Sequence, residues 1–87
     1  MVAIETDKMR TLGTYLRQLR VDSKVTKADL AEWLSCEYER IDQFETCPER
    51  LELVFLVEVA TALDRDPTEV LQACAEILRG GLAATDR

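Results

Sequence analysis

The segment 26–45, TKADLAEWLSCEYERIDQFE, constrains the fold more than any other part of this chain. Its apolar residues recur at steps of three and four in two short runs, and Ser35 and Cys36 separate the runs. Thr26 is a favourable N-cap, and Asp29 three residues later gives a weak form of the capping box. The pattern predicts two short amphipathic helices, one over 27–34 and one ending near residue 46, joined by a tight turn.

Three further helices are predicted on either side of this pair. Apolar residues at helical spacing predict a first helix over 8–20, and a nearly all-apolar run predicts a fourth over 51–63. Asp66 and Pro67 have the cap and first-position chemistry of a fifth helix, which Gly80 and Gly81 end. The expected architecture is all-α with five helices: residues 1–10 form an arm and the start of the first helix, 11–79 the domain, and 80–87 a flexible tail.

The composition favours a single globular domain without catalytic or metal chemistry. The chain has 87 residues, 47% hydrophobic and 32% charged, which is typical of a globular protein with one small core. No apolar run reaches the length of a membrane span and no signal peptide is visible, so we expect a cytoplasmic protein. Histidine is absent and the three cysteines have no pairing pattern, so we expect no enzyme activity, no metal and no cofactor.

Charge is distributed unevenly along the sequence. The net charge is −6; residues 1–27 hold six basic and three acidic side chains, whereas residues 28–87 hold five basic and fourteen acidic ones. The second helix of the 26–45 segment and the residue before it are strongly acidic, with Glu37, Glu39, Asp42 and Glu45 against Arg40. Such a helix faces repulsion from any phosphate backbone.

Several short motifs in order carry a resemblance to a known family. These are LRQLR in the first helix, TKADLAEWL in the second, Ile41 and Glu45 in the third, and LVEVATAL followed by DPTEVL. Together they resemble the Cro and phage-repressor family of helix-turn-helix domains, the XRE family. The resemblance implies a lambda-repressor-like DNA-binding domain and a sequence-specific transcriptional regulator. It also implies a structural ion pair between Arg20 and Glu45.

The resemblance further implies which residues contact double-stranded DNA. At the positions of the family's phosphate contacts stand Thr26, Lys27 and Arg50, and at its base-reading positions stand Tyr38, Glu39, Asp42 and Gln43. Gln43 suits adenine, and a carboxylate can accept a hydrogen bond from cytosine N4. Two carboxylates among four reading positions are unusual.

That acidity leaves a second hypothesis open, in which the third helix binds a basic protein instead of DNA. The chain is also expected to form a homodimer, because paired half-sites about 34 Å apart require two copies. The apolar residues outside the predicted core stripe of the fourth helix (Leu53, Leu56, Ala60, Leu63) are candidates for the dimer interface or for simple burial: Val54, Phe55 and Val57. The fifth helix is the other candidate interface.

Overall fold

The computed structural model describes residues 6–46 and 51–79. These residues form five α-helices and no strand: α1 (Thr6–Asp22), α2 (Lys27–Trp33), α3 (Tyr38–Thr46), α4 (Leu53–Ala62) and α5 (Pro67–Leu78). The prediction of an all-α chain with five helices is confirmed. The first helix is longer than the 8–20 predicted, because it begins in the predicted arm and runs to Asp22. The predicted tail, 80–87, lies outside the described residues.

All five helices contribute to one apolar core. α1 packs against α3 and α5, α2 packs against α3 and α4, and α4 packs against α5. The largest fully buried side chains come from four of the helices: Leu12, Leu16, Leu30, Ile41, Leu56 and Val59. Each such side chain stabilises the fold by roughly 1.5–3 kcal/mol relative to exposure. The α1–α3 contact fixes where α3 lies on the surface.

The predicted caps of α2 and α5 are confirmed. The Thr26 Oγ1 accepts a hydrogen bond from the Asp29 N–H at 3.0 Å, and the Asp66 Oδ1 accepts one from the Thr68 N–H at 2.9 Å. Pro67 follows Asp66 at the first position of α5. Each cap satisfies a backbone donor that the helix leaves without an intrahelical partner.

Three helices end with the same turn, and the sequence did not predict its conformation. Lys24, Ser35 and Asp64 have φ values of 62°, 55° and 61° after α1, α2 and α4, in the left-handed region that favours glycine. After α2, the Ser35 N–H donates to the Glu32 carbonyl at 3.1 Å and the Cys36 N–H donates to the Ala31 carbonyl at 2.9 Å. The same two bonds recur after α1 and α4, which is the Schellman pattern of helix termination.

The predicted core stripe of the fourth helix is buried at Leu56, Ala60 and Leu63, and the structure departs from it at one residue. Leu53 was placed in the core stripe, but it is 61% exposed at the first position of α4. Of the two alternatives left open for Phe55, dimer interface or simple burial, the structure shows burial, because the residue is only 7% exposed. Its ring packs edge-on against Phe44 with centroids 5.2 Å apart. The open apolar surface of α4 therefore consists of Leu53 and Val54, with Val57 half-buried.

Candidate functional site

The residues predicted to contact DNA lie on two adjoining helices. Thr26 and Lys27 stand at the start of α2, and four more stand on α3: Tyr38, Glu39, Asp42 and Gln43. We call these six residues the α2–α3 surface. Asp42 and Lys27 are half-buried, and the other four residues are exposed. Arg50 lies outside the described residues.

Three members of the α2–α3 surface contact one another. The Lys27 Nζ donates a hydrogen bond to the Asp42 Oδ1 at 2.7 Å, within a salt bridge. The same nitrogen lies 5.7 Å from the centroid of the Tyr38 ring, which is within the range of a cation–π interaction. The hydrogen bond that Lys27 donates to Asp42 raises the pKa of Lys27. Lys27 therefore keeps its positive charge and shares it with a carboxylate of α3.

Local geometry explains why these three side chains meet. Tyr38 and Asp42 are four residues apart on α3, so they lie on the same face one turn apart. Lys27 begins α2, which packs against α3, and its long side chain spans the gap between the two helices. The contact joins residues 15 positions apart in the sequence.

Arg20 and Glu45 form a second ion pair, and this one is buried. The Arg20 Nε donates to the Glu45 Oε2 at 2.7 Å, and Nη2 donates to Oε1 at 3.1 Å. The third nitrogen, Nη1, donates to the Val25 carbonyl at 2.9 Å. The exposed fractions of the two side chains are only 9% and 2%. The pair that the resemblance implied thus joins α1 to α3 and holds the α1–α2 connection as well.

Arg40 forms a third link, which the sequence did not reveal. Its Nη2 donates to the Glu52 Oε1 at 2.9 Å, and its guanidinium lies 4.1 Å from the centroid of the Phe55 ring. Both partners belong to the start of α4, across the 47–50 segment. Arg40 therefore stabilises the placement of α4 against α3.

These three pairs change the electrostatics of α3. Asp42 is paired with Lys27, Glu45 with Arg20, and Arg40 with Glu52. Within residues 6–46 and 51–79, Glu37 and Glu39 have no ion pair. Glu37 and Glu39 are therefore the acidic side chains of this region that remain most available to a binding partner.

An open depression lies beside the α2–α3 surface. It has a volume of about 480 Å³ and lies between the end of α1, the start of α2 and the start of α3. Lys24, Lys27 and Tyr38 line it, together with Arg20, Thr26 and the apolar Val21, Val25 and Ala28. Because Glu45 already holds the Arg20 guanidinium, the charge available to a ligand there comes from the two lysines.

Other kinds of site are not found in the part of the chain that the structure describes. No group of three or more histidine, cysteine, aspartate or glutamate side chains there is arranged to hold a metal ion. None of the five helices has the length and apolar content needed to cross a membrane. Cys36 is half-buried, and Cys74 is buried; burial raises the pKa of the Cys74 thiol to about 11.

Comparison of the chain with protein-family models, curated proteins and solved structures finds no match. The resemblance to the XRE family therefore remains an interpretation of the sequence pattern, and the roles that it implies remain predictions.

Proposed function

We propose that this protein is a sequence-specific DNA-binding transcriptional regulator that places α3 in the major groove. The observation that carries the proposal is the pairing of Asp42 with Lys27 and of Glu45 with Arg20. In the free protein these pairs offset two of the carboxylates that argued against DNA, and Glu39 is the base-reading position whose carboxylate has no ion pair within the described residues. The two helices and their tight turn have the order and spacing of a helix-turn-helix.

In this proposal the exposed side chains of the α2–α3 surface have distinct roles. Gln43 hydrogen-bonds an adenine edge, Glu39 accepts from cytosine N4, and Tyr38 packs on a thymine methyl or donates to a phosphate. Thr26 and Lys27 contact the phosphate backbone and position α3 without reading sequence. Arg50 is proposed as a further phosphate contact.

A salt titration with a fluorescent mixed-sequence 30-base-pair duplex tests DNA binding. We expect binding at micromolar protein in about 50 mM salt, with log K falling linearly as log salt rises. Lys27→Gln should weaken binding and lower the slope by about one, because one phosphate contact is lost. Arg65→Gln is the matched control, since it removes one exposed positive charge from the α4–α5 connection. Absence of binding, or a constant K across the titration, would falsify the proposal.

Sequence preference needs a separate test. Selection of duplexes from a random pool should enrich a defined motif, and Gln43→Ala should relax the preference at one adenine by about 1–3 kcal/mol. Enrichment of no motif by the wild-type chain would limit the function to nonspecific DNA binding.

A second candidate function is binding of a basic protein by the start of α3. It is favoured by Glu37 and Glu39, which have no ion pair within the described residues, and by the nearby aromatic side chains of Trp33 and Tyr38, which are 56% and 52% exposed. Aromatic side chains supply much of the energy of protein interfaces. Partners recovered by wild type should then be lost with Glu37→Lys/Glu39→Lys and retained with Glu69→Lys/Glu76→Lys on α5. Equal recovery by the two double variants would exclude this surface.

A further inference from the structure

We propose that Asp42 competes with a DNA phosphate for the ammonium group of Lys27. When the duplex docks, Lys27 exchanges the Asp42 carboxylate for the phosphate. The inference rests on the proposed DNA-binding function and adds a residue that sets its affinity. Asp42 then acts through Lys27, and its predicted role as a base-reading side chain becomes secondary.

The geometry of the pair permits exchange. The Lys27 and Asp42 side chains are 24% and 44% exposed, and one carboxylate oxygen, Oδ1, receives the hydrogen bond. Solvent and ligand therefore reach both groups without any helix moving. The Arg20–Glu45 pair is the internal contrast, because its two parallel hydrogen bonds and its 9% and 2% exposure leave no such access.

The depression beside Lys27 gives the incoming phosphate a place to bind. Lys24 and Lys27 both line it, and so does Tyr38, whose ring lies against the Lys27 ammonium. No acidic residue lines it. A phosphate in the depression can interact with both Lys24 and Lys27. Asp42, on α3, is paired with Lys27. The exchange is thus between two negatively charged oxygen ligands of the same ammonium group.

Competition of this kind lowers affinity for any duplex by the same factor, because it acts on a backbone contact. Base contacts by the rest of α3 then decide which sequences are bound. The competitor should also flatten the salt dependence, because salt screens the Lys27–Asp42 pair as well as the phosphate contact.

A double-mutant cycle tests the proposal on the 87-residue chain. Wild type, Asp42→Asn, Lys27→Gln and the double variant are titrated with the 30-base-pair duplex from about 50 to 300 mM salt. Asp42→Asn should tighten binding about two- to fivefold at low salt, the range expected for an exposed ion pair, with a steeper slope. In the Lys27→Gln background, Asp42→Asn should increase the affinity for the duplex much less. Circular dichroism verifies that each variant keeps its helices.

Glu39→Gln, with and without Lys27→Gln, is the matched control. Glu39 lies on the same helix without an ion pair in the described residues, so Glu39→Gln should change the affinity by the same factor in both backgrounds. If Asp42→Asn raises the affinity for the duplex at least as much in the Lys27→Gln background as in wild type, Asp42 repels the phosphate directly. That result would overturn the inference. If the protein binds DNA and Asp42→Asn leaves the affinity unchanged, the inference is also overturned, whereas the proposed function stands. Failure of every variant to bind would overturn both.

Discussion

Burial distinguishes the charged pairs of this molecule at the scale of single residues. Arg20 and Glu45 are almost fully enclosed and are joined by two parallel hydrogen bonds, so their value lies in fixing α1 against α3. Arg40 and Glu52 remain open to solvent at 46% and 67% exposure, where an ion pair contributes little. Among the ion pairs of residues 6–46 and 51–79, only the enclosed Arg20–Glu45 pair leaves a buried, unpaired charge when one partner is removed.

Arg20→Met should therefore destabilise the protein by about 3–5 kcal/mol, because it strands the Glu45 carboxylate in the core. Urea unfolding followed by circular dichroism measures the loss. Arg20→Met combined with Glu45→Met should cost less than the sum of the two single variants, since neither charge is then left without a partner. Additive losses would mean that the two side chains act independently.

Cys74 predicts how stability falls at alkaline pH. Burial raises the pKa of its thiol from 9.0 to about 11, so the folded state holds this proton more tightly than the unfolded state. The contribution to stability is complete below pH 9 and is lost as the pH rises toward 11. Between pH 8 and 10.5, wild type should lose about 2 kcal/mol more unfolding free energy than Cys74→Ala. Equal losses in urea unfolding at the two pH values would contradict this.

At the scale of the helices, the capping side chains at two starts were predictable, whereas the backbone conformation at three ends was not. Thr26 and Asp66 were identified as caps because a capping side chain bonds backbone groups two or three residues away, so its signal is local in sequence. The ends of α1, α2 and α4 use left-handed residues that are not glycine. Lysine at position 24 and serine at position 35 do not indicate this conformation, and aspartate at position 64 indicates it only weakly, because aspartate enters the left-handed region more readily than most residues with a Cβ atom.

Thr26→Ala should lower the free energy of unfolding by about 1 kcal/mol, because the Asp29 N–H loses its acceptor. Thr26→Ser keeps the hydroxyl and should retain most of the stability in urea unfolding. If the two variants unfold at the same urea concentration, the cap contributes nothing through its hydroxyl.

At the scale of the whole molecule, the contacts within the candidate site depend on how the helices pack. The sequence alone therefore predicted only some of these contacts. Helical spacing placed Tyr38 and Asp42 on one face of α3. The contacts of Lys27 with Asp42 and of Arg40 with Glu52 cross 15 and 12 positions, so no periodic pattern reveals them. The Arg20–Glu45 pair followed from the family resemblance alone.

The fourth helix shows the same limit. Its run is apolar on nearly every side, so the sequence could not tell which faces the core would cover. The structure buries Phe55 against Phe44 and leaves Leu53 and Val54 open. The number of helices was predictable, whereas the division of this helix into inner and outer faces required its neighbours.

The open pair on α4 gives a prediction for the oligomeric state. Leu53 and Val54 are 61% and 69% exposed, against 36% for Leu71 on α5, so we expect a homodimer interface that includes the start of α4. Sedimentation velocity at micromolar protein should show a dimer that Val54→Glu dissociates and Leu71→Glu leaves intact. The opposite response would place the interface on α5, and a monomeric wild type would exclude the homodimer.

Because three helices end in left-handed residues other than glycine, substitution at these positions can raise the stability of the protein. A residue with a Cβ atom is strained in that conformation by roughly 1–2 kcal/mol, and glycine escapes most of the strain despite its greater freedom when unfolded. Ser35→Gly and Asp64→Gly should each raise the free energy of unfolding by about 0.5–1 kcal/mol, additively, whereas Ser35→Ala should gain nothing in urea unfolding. The protein can thus be engineered for greater thermal resistance at its turns, leaving both its core and the α2–α3 surface unchanged.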